Sequence, residues 1–360
     1  MVSGAPGHGL DAVAAALGDR VARDQPFGAL TTYRVGGPAA LMMEATSEAD
    51  LVDVRRALSG HNVPVLFLGN GSNLLVADTG FPGLVVRLGR QFTQMTIPGV
   101  AEPGLPADGG LQPEPDPVVV RAGAAAGLPV LARRTVEAGL SGLEWAVGVP
   151  GSVGGAVRMN AGGHGADVAS CLVRYRWVDV DPAVDGDGSG EDGPERLQFG
   201  YRVSSLTSTQ VVVWAEFATH PGPVEAGRAA ISDIVRWRRE HQPGGGNAGS
   251  VFVNPPGDSA GRLVEDAGLK GFRLGSARVS EKHANFIVAD RGGSAADVSR
   301  LMAHVHRVVL ERSGIDLRTE IHPVGFPEGE NDGRERVAHR QAGGGSGSSG
   351  PSGTVSRGIS

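Results

Sequence analysis

The sequence predicts a mixed α/β fold in two units, a larger one over residues 20–220 and a smaller α/β unit over 221–326. Two observations predict it. Short Val-rich runs alternate with amphipathic helical segments, and two glycine-rich stretches interrupt that alternation. With 57 Gly and 23 Pro in 360 residues turns are many, yet 40% hydrophobic residues suffice for a sizeable core. The net charge of -6 supplies no basic field for nucleic acid or an anionic membrane, so any phosphate must be bound by local groups. The one cysteine, Cys171, allows no internal disulfide and no cysteine zinc site, which fits a reducing compartment, so a cytoplasmic protein is expected. Met1 to Leu17 lacks a basic n-region, Asp11 breaks its apolar stretch, and no apolar run is long enough to insert in a membrane.

Residues 1–19 are read as an N-terminal extension. Ser47 with Asp50 three residues on opens a helix that sets Leu51, Val54 and Leu58 on one face and stops at Gly60. Val63 to Leu68, Leu84 to Leu88, Val118 to Ala122 and Val211 to Phe217 are short, Val-rich and bounded by Gly or Pro, as strands are. Pro129 opens a helix that ends at Gly139. The Pro- and Gly-crowded segment 93–117 and the acidic segment 181–195 read as loop insertions between strands. In the smaller unit a helix covers Val224 to Glu240, and loops and strands fill Ser250 to Ile287. A last helix runs from Ser294 to Arg312, with Val298, Leu301, Met302, Val305, Val308 and Val309 in helical period and Gly314 as its stop. His304 and His306, at i,i+2 on that helix, point apart and cannot share a metal, so none is expected. Residues 327–360 read as a disordered tail, since 343–360 contain seven Gly and six Ser.

Two stretches carry chemistry. Gly69-Asn70-Gly71-Ser72-Asn73 follows a strand directly, and such a run can turn successive backbone N–H groups toward one anion, as a pyrophosphate requires. Gly142 to Gly165 contains eight glycines but also Trp145, Val147, Val149, Val153, Val157 and Met159, so it reads as a folded loop pressed against something flat or bulky. Either could be a tight turn; together they point to a nucleotide cofactor. No GxxxxGK[ST] occurs, and the only GxGxxG match, Gly188 to Gly193, lies in the acidic insertion without a preceding strand or a following helix.

In order along the chain stand GNGSN, GVPGSVGGAVRMNAG, FGYR at Phe199 to Arg202, QP followed by AGSVFVNP at Gln242 to Pro255, AGLKG, SEKHANFIV and TEIHPVG. This ordered set resembles the UDP-N-acetylenolpyruvoylglucosamine reductase (MurB) family over about residues 20–326. The resemblance implies an FAD-binding fold of the vanillyl-alcohol oxidase type followed by a smaller substrate-binding domain. It implies non-covalent FAD, with NADPH as co-substrate and a UDP-sugar enolpyruvyl ether as substrate. The cofactor would lie against Gly69, Asn70, Gly71, Ser72 and Asn73 and against Pro150, Gly151, Ser152, Gly154, Gly155 and Asn160. Arg202 matches the family's catalytic arginine, Ser250 its proton donor and Glu320 its C-terminal glutamate, with Tyr201 and Asn254 at substrate-binding positions.

Those residue types suit the reaction. Hydride addition to the enolpyruvyl alkene leaves negative charge on the carboxylate side, which a guanidinium at Arg202 can meet with paired hydrogen bonds, as can a protonated Glu320 acting as donor. Ser250 can then deliver the proton that the adjacent carbon needs. Taken singly, Arg202 fits an exposed surface pair, Ser250 a turn hydroxyl and Glu320 a solvated strand face. One position departs from the family pattern: Val253 stands where a lysine is usual, leaving Arg238, Arg239, Lys270 and Lys282 as alternatives for the missing positive group. The loop Gly69 to Asn73 has no Cys or His for covalent flavin attachment, and Cys171 reads as a buried strand residue. A monomer is expected. The rival readings are a flavin oxidase of the same fold and a non-catalytic nucleotide-sugar binding protein.

Overall fold

The computed structural model describes residues 6–99 and 117–327. Most of the insertion at 93–117 and the tail from residue 328 onward lie outside the described residues. The chain runs α1 (Pro6–Leu17), β1 (Val21–Gln25), β2 (Ala39–Ala45), α2 (Glu48–Leu58), β3 (Val65–Leu68), β4 (Leu74–Val76), β5 (Phe81–Leu88), β6 (Met95–Thr96) and β7 (Val118–Gly123). It continues through α3 (Leu128–Glu137), β8 (Leu140–Ser141), α4 (Val153–Met159), β9 (Gly162–Gly163), β10 (Ala166–Asp167), β11 (Leu172–Asp179), β12 (Ser189–Asp192) and β13 (Gln210–Pro221). Then come α5 (Val224–His241), α6 (Ala260–Asp266), β14 (Arg273–Leu274), β15 (Ala277–Val279), β16 (Ile287–Ala289), α7 (Ala295–Ser313) and β17 (His322–Val324).

Strands β1, β2, β5 and β3 form one sheet in that order, parallel except at β1. A larger antiparallel sheet runs β12-β11-β13-β7-β6, with β8 paired to β13. A third sheet, β14-β15-β16, is antiparallel, and β17 returns to pair in parallel with β4. That last pairing matters for function, because it carries the C-terminal segment to the end of the first glycine loop, where His322 N–H donates to Asn73 O at 2.9 Å.

The expected helices form for the expected reasons. At α2 the Asp50 carboxylate accepts from the backbone N–H groups of Thr46 and Ser47, and Leu51, Val54 and Leu58 are buried. Gly60 follows at φ +77°. The N-terminal extension holds a helix that the sequence reading did not draw. The Ala-rich run from Ala12 to Ala16 favours it, and Val13 and Leu17 enter the same core as Leu51 and Val54.

Three further expectations are corrected. The acidic segment 181–195 is not loop throughout, since β12 pairs antiparallel with β11. Opposite charges across the strands hold it there, with Glu191 3.2 Å from the Arg174 guanidinium, so no apolar alternation announced it. The segment 93–117 likewise begins with a strand, β6, which pairs with β7. Cys171 is buried but precedes β11, at the end of a one-turn 3₁₀ helix.

The start of α7 is tied to the region of the first glycine loop. Asp78 accepts from Ser294 Oγ at 2.6 Å and from the N–H groups of Ala295 and Ala296 at 2.8 and 3.0 Å. Desolvation alone would raise the Asp78 pKa, but these hydrogen bonds outweigh it and hold the carboxyl below its ordinary value. A depressed folded pKa stabilises the fold above the unfolded value, and that contribution is lost as pH falls through the folded value. Asp78→Ala is therefore expected to cost about 1–2 kcal/mol at neutral pH. In thermal melts the gap to wild type should close as pH drops below about 4.

Candidate active site

At the C-terminal end of β3 the chain turns through Gly69 to Asn73. Gly71 sits at φ +59°, and a Cβ there would lie 2.8 Å from both Leu30 O and Thr31 Cα. Only glycine fits this position. Among the described residues the N–H groups of Asn70, Gly71 and Ser72 have no protein acceptor, as an anion nest requires. Asn70 reaches across to Pro150 O at 3.4 Å, which joins this loop to the second glycine-rich stretch.

That second stretch is not a loop throughout. Residues 153–159 form α4, capped by Ser152, whose Oγ accepts from Gly155 N–H, and Val153, Ala156 and Val157 point into the core. Two glycines in one short helix hid it, because glycine opposes helix formation. The close approach at Gly154 is to protein: a Cβ there would stand 2.9 Å from the Ala124 methyl on the turn after β7. Gly155 instead stays exposed. Gly69, Asn70, Ser152, Gly154 and Gly155 line one cleft of about 400 Å³. A Cβ at Gly69 would collide with Ser152 Oγ, so the two loops meet as a cradle that admits backbone only. Asn70, whose amide has no protein acceptor, on one wall and the unhindered backbone of Gly155 on the other fit the diphosphate of a dinucleotide.

Helix α4 ends at Asn160, left-handed at φ +40° and buried, with its side chain bonded to Asp167, to Gly200 O and to the N–H of Ala169. It thereby fixes the turn Gly200-Tyr201-Arg202-Val203, closed by reciprocal bonds between Gly200 and Val203. Arg202 stands at φ +59° in the third position of that turn, where glycine or asparagine is usual. Its guanidinium is pinned on three sides: Nε donates to Glu320 Oε1 at 3.0 Å, Nη2 to Gly162 O at 2.7 Å and Nη1 to Asn160 O at 3.4 Å. Tyr201 is 55% exposed and lies beneath the guanidinium, with the ring centroid 4.8 Å away.

Glu320 arrives from 118 residues away. Its N–H donates to Val251 O at 2.8 Å, and Phe252 bridges Thr319, so Ser250 lies one residue from the segment that presents Glu320. Asn285, buried, fixes this strip with bonds to Phe252 N–H and O at 2.9 and 2.8 Å. Arg202 and Glu320 are thus in contact, and the backbone of Ser250 lies one residue from the pairing partner of Glu320. Glu320 Oε1 accepts from the arginine in this arrangement. The Oδ1 of Asn254, three residues beyond Val251, accepts from the N–H of Ala260 at the start of α6.

The four alternatives for the positive group separate. Lys270 pairs with Glu265, Lys282 donates to Arg239 O, and Arg239 is exposed. Arg238 is half-buried, donates to Gln242, has no acidic partner among the described residues, and its pKa is drawn down by burial. It acts on His164, whose pKa is lowered by burial and by that charge. The Cys171 thiol is pushed up to about 12 by burial, with Asp167 adding to the effect, so it stays protonated and unreactive. Missing from the sequence reading is Arg158, which lines the cleft beside Gly154 and Gly155.

The chain is similar to known proteins over most of its length. Residues 241–324 match the family model for the UDP-N-acetylenolpyruvoylglucosamine reductase C-terminal domain, and residues 39–184 match an FAD binding domain. The UDP-N-acetylenolpyruvoylglucosamine reductase of Heliobacterium modesticaldum is 41% identical over 86% of this chain and 93% of its own length. That of Rubrobacter xylanophilus is 39% identical over 84% and 95%. The chain belongs to the UDP-N-acetylenolpyruvoylglucosamine reductase family. The crystal structure of the family member from Thermus caldophilus superposes with a TM-score of 0.67 at 34% identity, covering 85% of this chain and 99% of that one. Membership carries the FAD-binding fold, and the cradle at Gly69 and Gly155 is consistent with FAD in it.

Proposed function

We propose that this protein reduces UDP-N-acetylenolpyruvoylglucosamine to UDP-N-acetylmuramate with NADPH and FAD, a step of peptidoglycan precursor synthesis. The observation that carries the reading is the contact of Arg202 with Glu320 beside Ser250, in a chain of the reductase family. Gly69 to Asn73 and Pro150 to Gly155 would hold FAD, with Asn160 fixing the end of α4. When bound, the flavin supplies hydride to the methylene carbon. Arg202 meets the negative charge that develops on the substrate carboxylate, since a guanidinium has more donors than its three protein bonds use. Glu320 keeps that guanidinium from turning, in a site where both side chains are no more than 21% exposed. Ser250 then gives its hydroxyl proton to the adjacent carbon. Among the described residues this hydroxyl has no protein hydrogen-bond partner, which leaves it available to substrate.

Tyr201 and Asn254 stay assigned to substrate, with Arg238 the best placed of the basic residues for its diphosphate. Residues 20–220 would serve the cofactor and 221–326 the substrate, in a cytoplasmic monomer. No helix among the described residues is long and apolar enough to cross a membrane. A flavin oxidase has no use for a proton donor at Ser250, and a binding module has no use for a pinned arginine. Purified protein should be yellow, bleach anaerobically with NADPH, and recolour when the enolpyruvyl substrate is added. Protein that stays bleached with that substrate but recolours in air would be an oxidase, and colourless protein that takes up no FAD would be a binding module.

A further inference from the structure

We propose that Arg158 binds the cofactor, its guanidinium gripping the diphosphate of the dinucleotide in the cleft between β3 and α4. The inference rests on the FAD reading above and names a residue that reading does not use. Arg158 lies three and four residues beyond Gly155 and Gly154 on α4, so its side chain rises over the same helix face. All three residues line the cleft, opposite Gly69 and Asn70. A group resting on the bare backbone of Gly155 would lie beside this side chain, with Asn70 across the cleft.

The electrostatics point the same way. Arg158 is half-buried, and that burial draws its pKa down from the ordinary value. Its Nη1 donates to Thr207 O at 2.6 Å, which satisfies a donor without supplying charge. Among the described residues it forms no ion pair, whereas the more exposed Arg20, Arg174 and Arg273 do. A desolvated cation left without an anion is costly. Arg87 and Arg90 line the same cleft but are exposed, so water serves them and no ligand is needed to explain them. A diphosphate would supply Arg158 with two oxygens in the fork geometry that a guanidinium favours.

The plain alternative is structural. Arg158 and the Ser204 hydroxyl, which donates to Arg158 O at 2.7 Å, would then only fasten α4 to the 204–207 turn. The two roles differ in what a substitution selects against. Apo-protein is titrated with FAD and with riboflavin, which has no diphosphate, following flavin fluorescence. Arg158→Gln is expected to weaken FAD about 10–100-fold and leave riboflavin within about two-fold. Arg158→Lys keeps the charge but not the fork, and should weaken FAD less than Arg158→Gln does while leaving riboflavin within about two-fold; it carries the test if the glutamine variant does not fold. Equal weakening of both ligands, or of neither, overturns the proposal and leaves Arg158 as a fastener, with the function intact. Wild-type protein that binds no FAD overturns the functional reading and this inference together.

Discussion

Replacing Ser250 with Ala is expected to slow turnover of the enolpyruvyl substrate by about 10²–10⁴-fold while NADPH still bleaches the flavin at the wild-type rate. The separation follows from what the hydroxyl does. Reduction of the flavin needs no proton at the substrate carbon, so it is indifferent to Ser250, whereas completion of the addition requires one. The backbone supports that role. Gly249 takes φ +82°, which lets the chain turn into Ser250, and the next two residues are locked to Asn285 by bonds of 2.8 and 2.9 Å. The side chain removed is small and its loss leaves this strip intact, so the variant should melt within about 0.5 kcal/mol of wild type. Stopped-flow reduction by NADPH and steady-state turnover measured on one preparation check both halves. Undiminished turnover of substrate by the variant would take Ser250 out of the mechanism.

What could be read from the sequence was whatever depends on local pattern. The capping box at Ser47 and Asp50, the stop at Gly60 and the apolar stripe of α7 are all encoded within a few residues. Gly71 could be read as a turn glycine, but the backbone of Leu30 and Thr31 that leaves no room for a side chain there comes from forty residues away. Contacts between distant segments were legible only through the ordered motifs. Nothing near Arg202 in sequence announces Glu320, and the segment bearing Glu320 reads equally as a solvated strand face. Elements held by charge or by tertiary packing were missed. β12 lacks an apolar period because Glu191 and Arg174 hold it, and α4 lacks helix propensity because Gly154 and Gly155 are demanded by Ala124 and by the open cleft. Arg158 gave no signal beyond lying among those glycines, since burial without an acidic partner is a property of the fold.

Arg202→Lys should lower kcat by about 10²–10³-fold with a smaller change in KM, because the guanidinium is matched to a charge that exists only as hydride arrives. Lysine keeps the positive charge but has one compact donor group where arginine has a planar fork, and it cannot hold Glu320 Oε1, Gly162 O and Asn160 O at once. The ammonium would be free to swing, and a charge that reorganises during the reaction stabilises it less than one fixed beforehand. The backbone argues for the same role. A residue with a Cβ at φ +59° in a four-residue turn costs on the order of 1 kcal/mol that glycine would not. Arg202→Gly should relieve that strain and abolish turnover, and it also leaves the half-buried Glu320 without its 3.0 Å partner. The double variant Arg202→Gly, Glu320→Ala removes that carboxylate as well. If strain at this turn is maintained for catalysis, the double variant should melt higher than Glu320→Ala alone while remaining inactive. A kcat that survives Arg202→Lys, with the loss confined to KM, would instead place the arginine in ground-state binding.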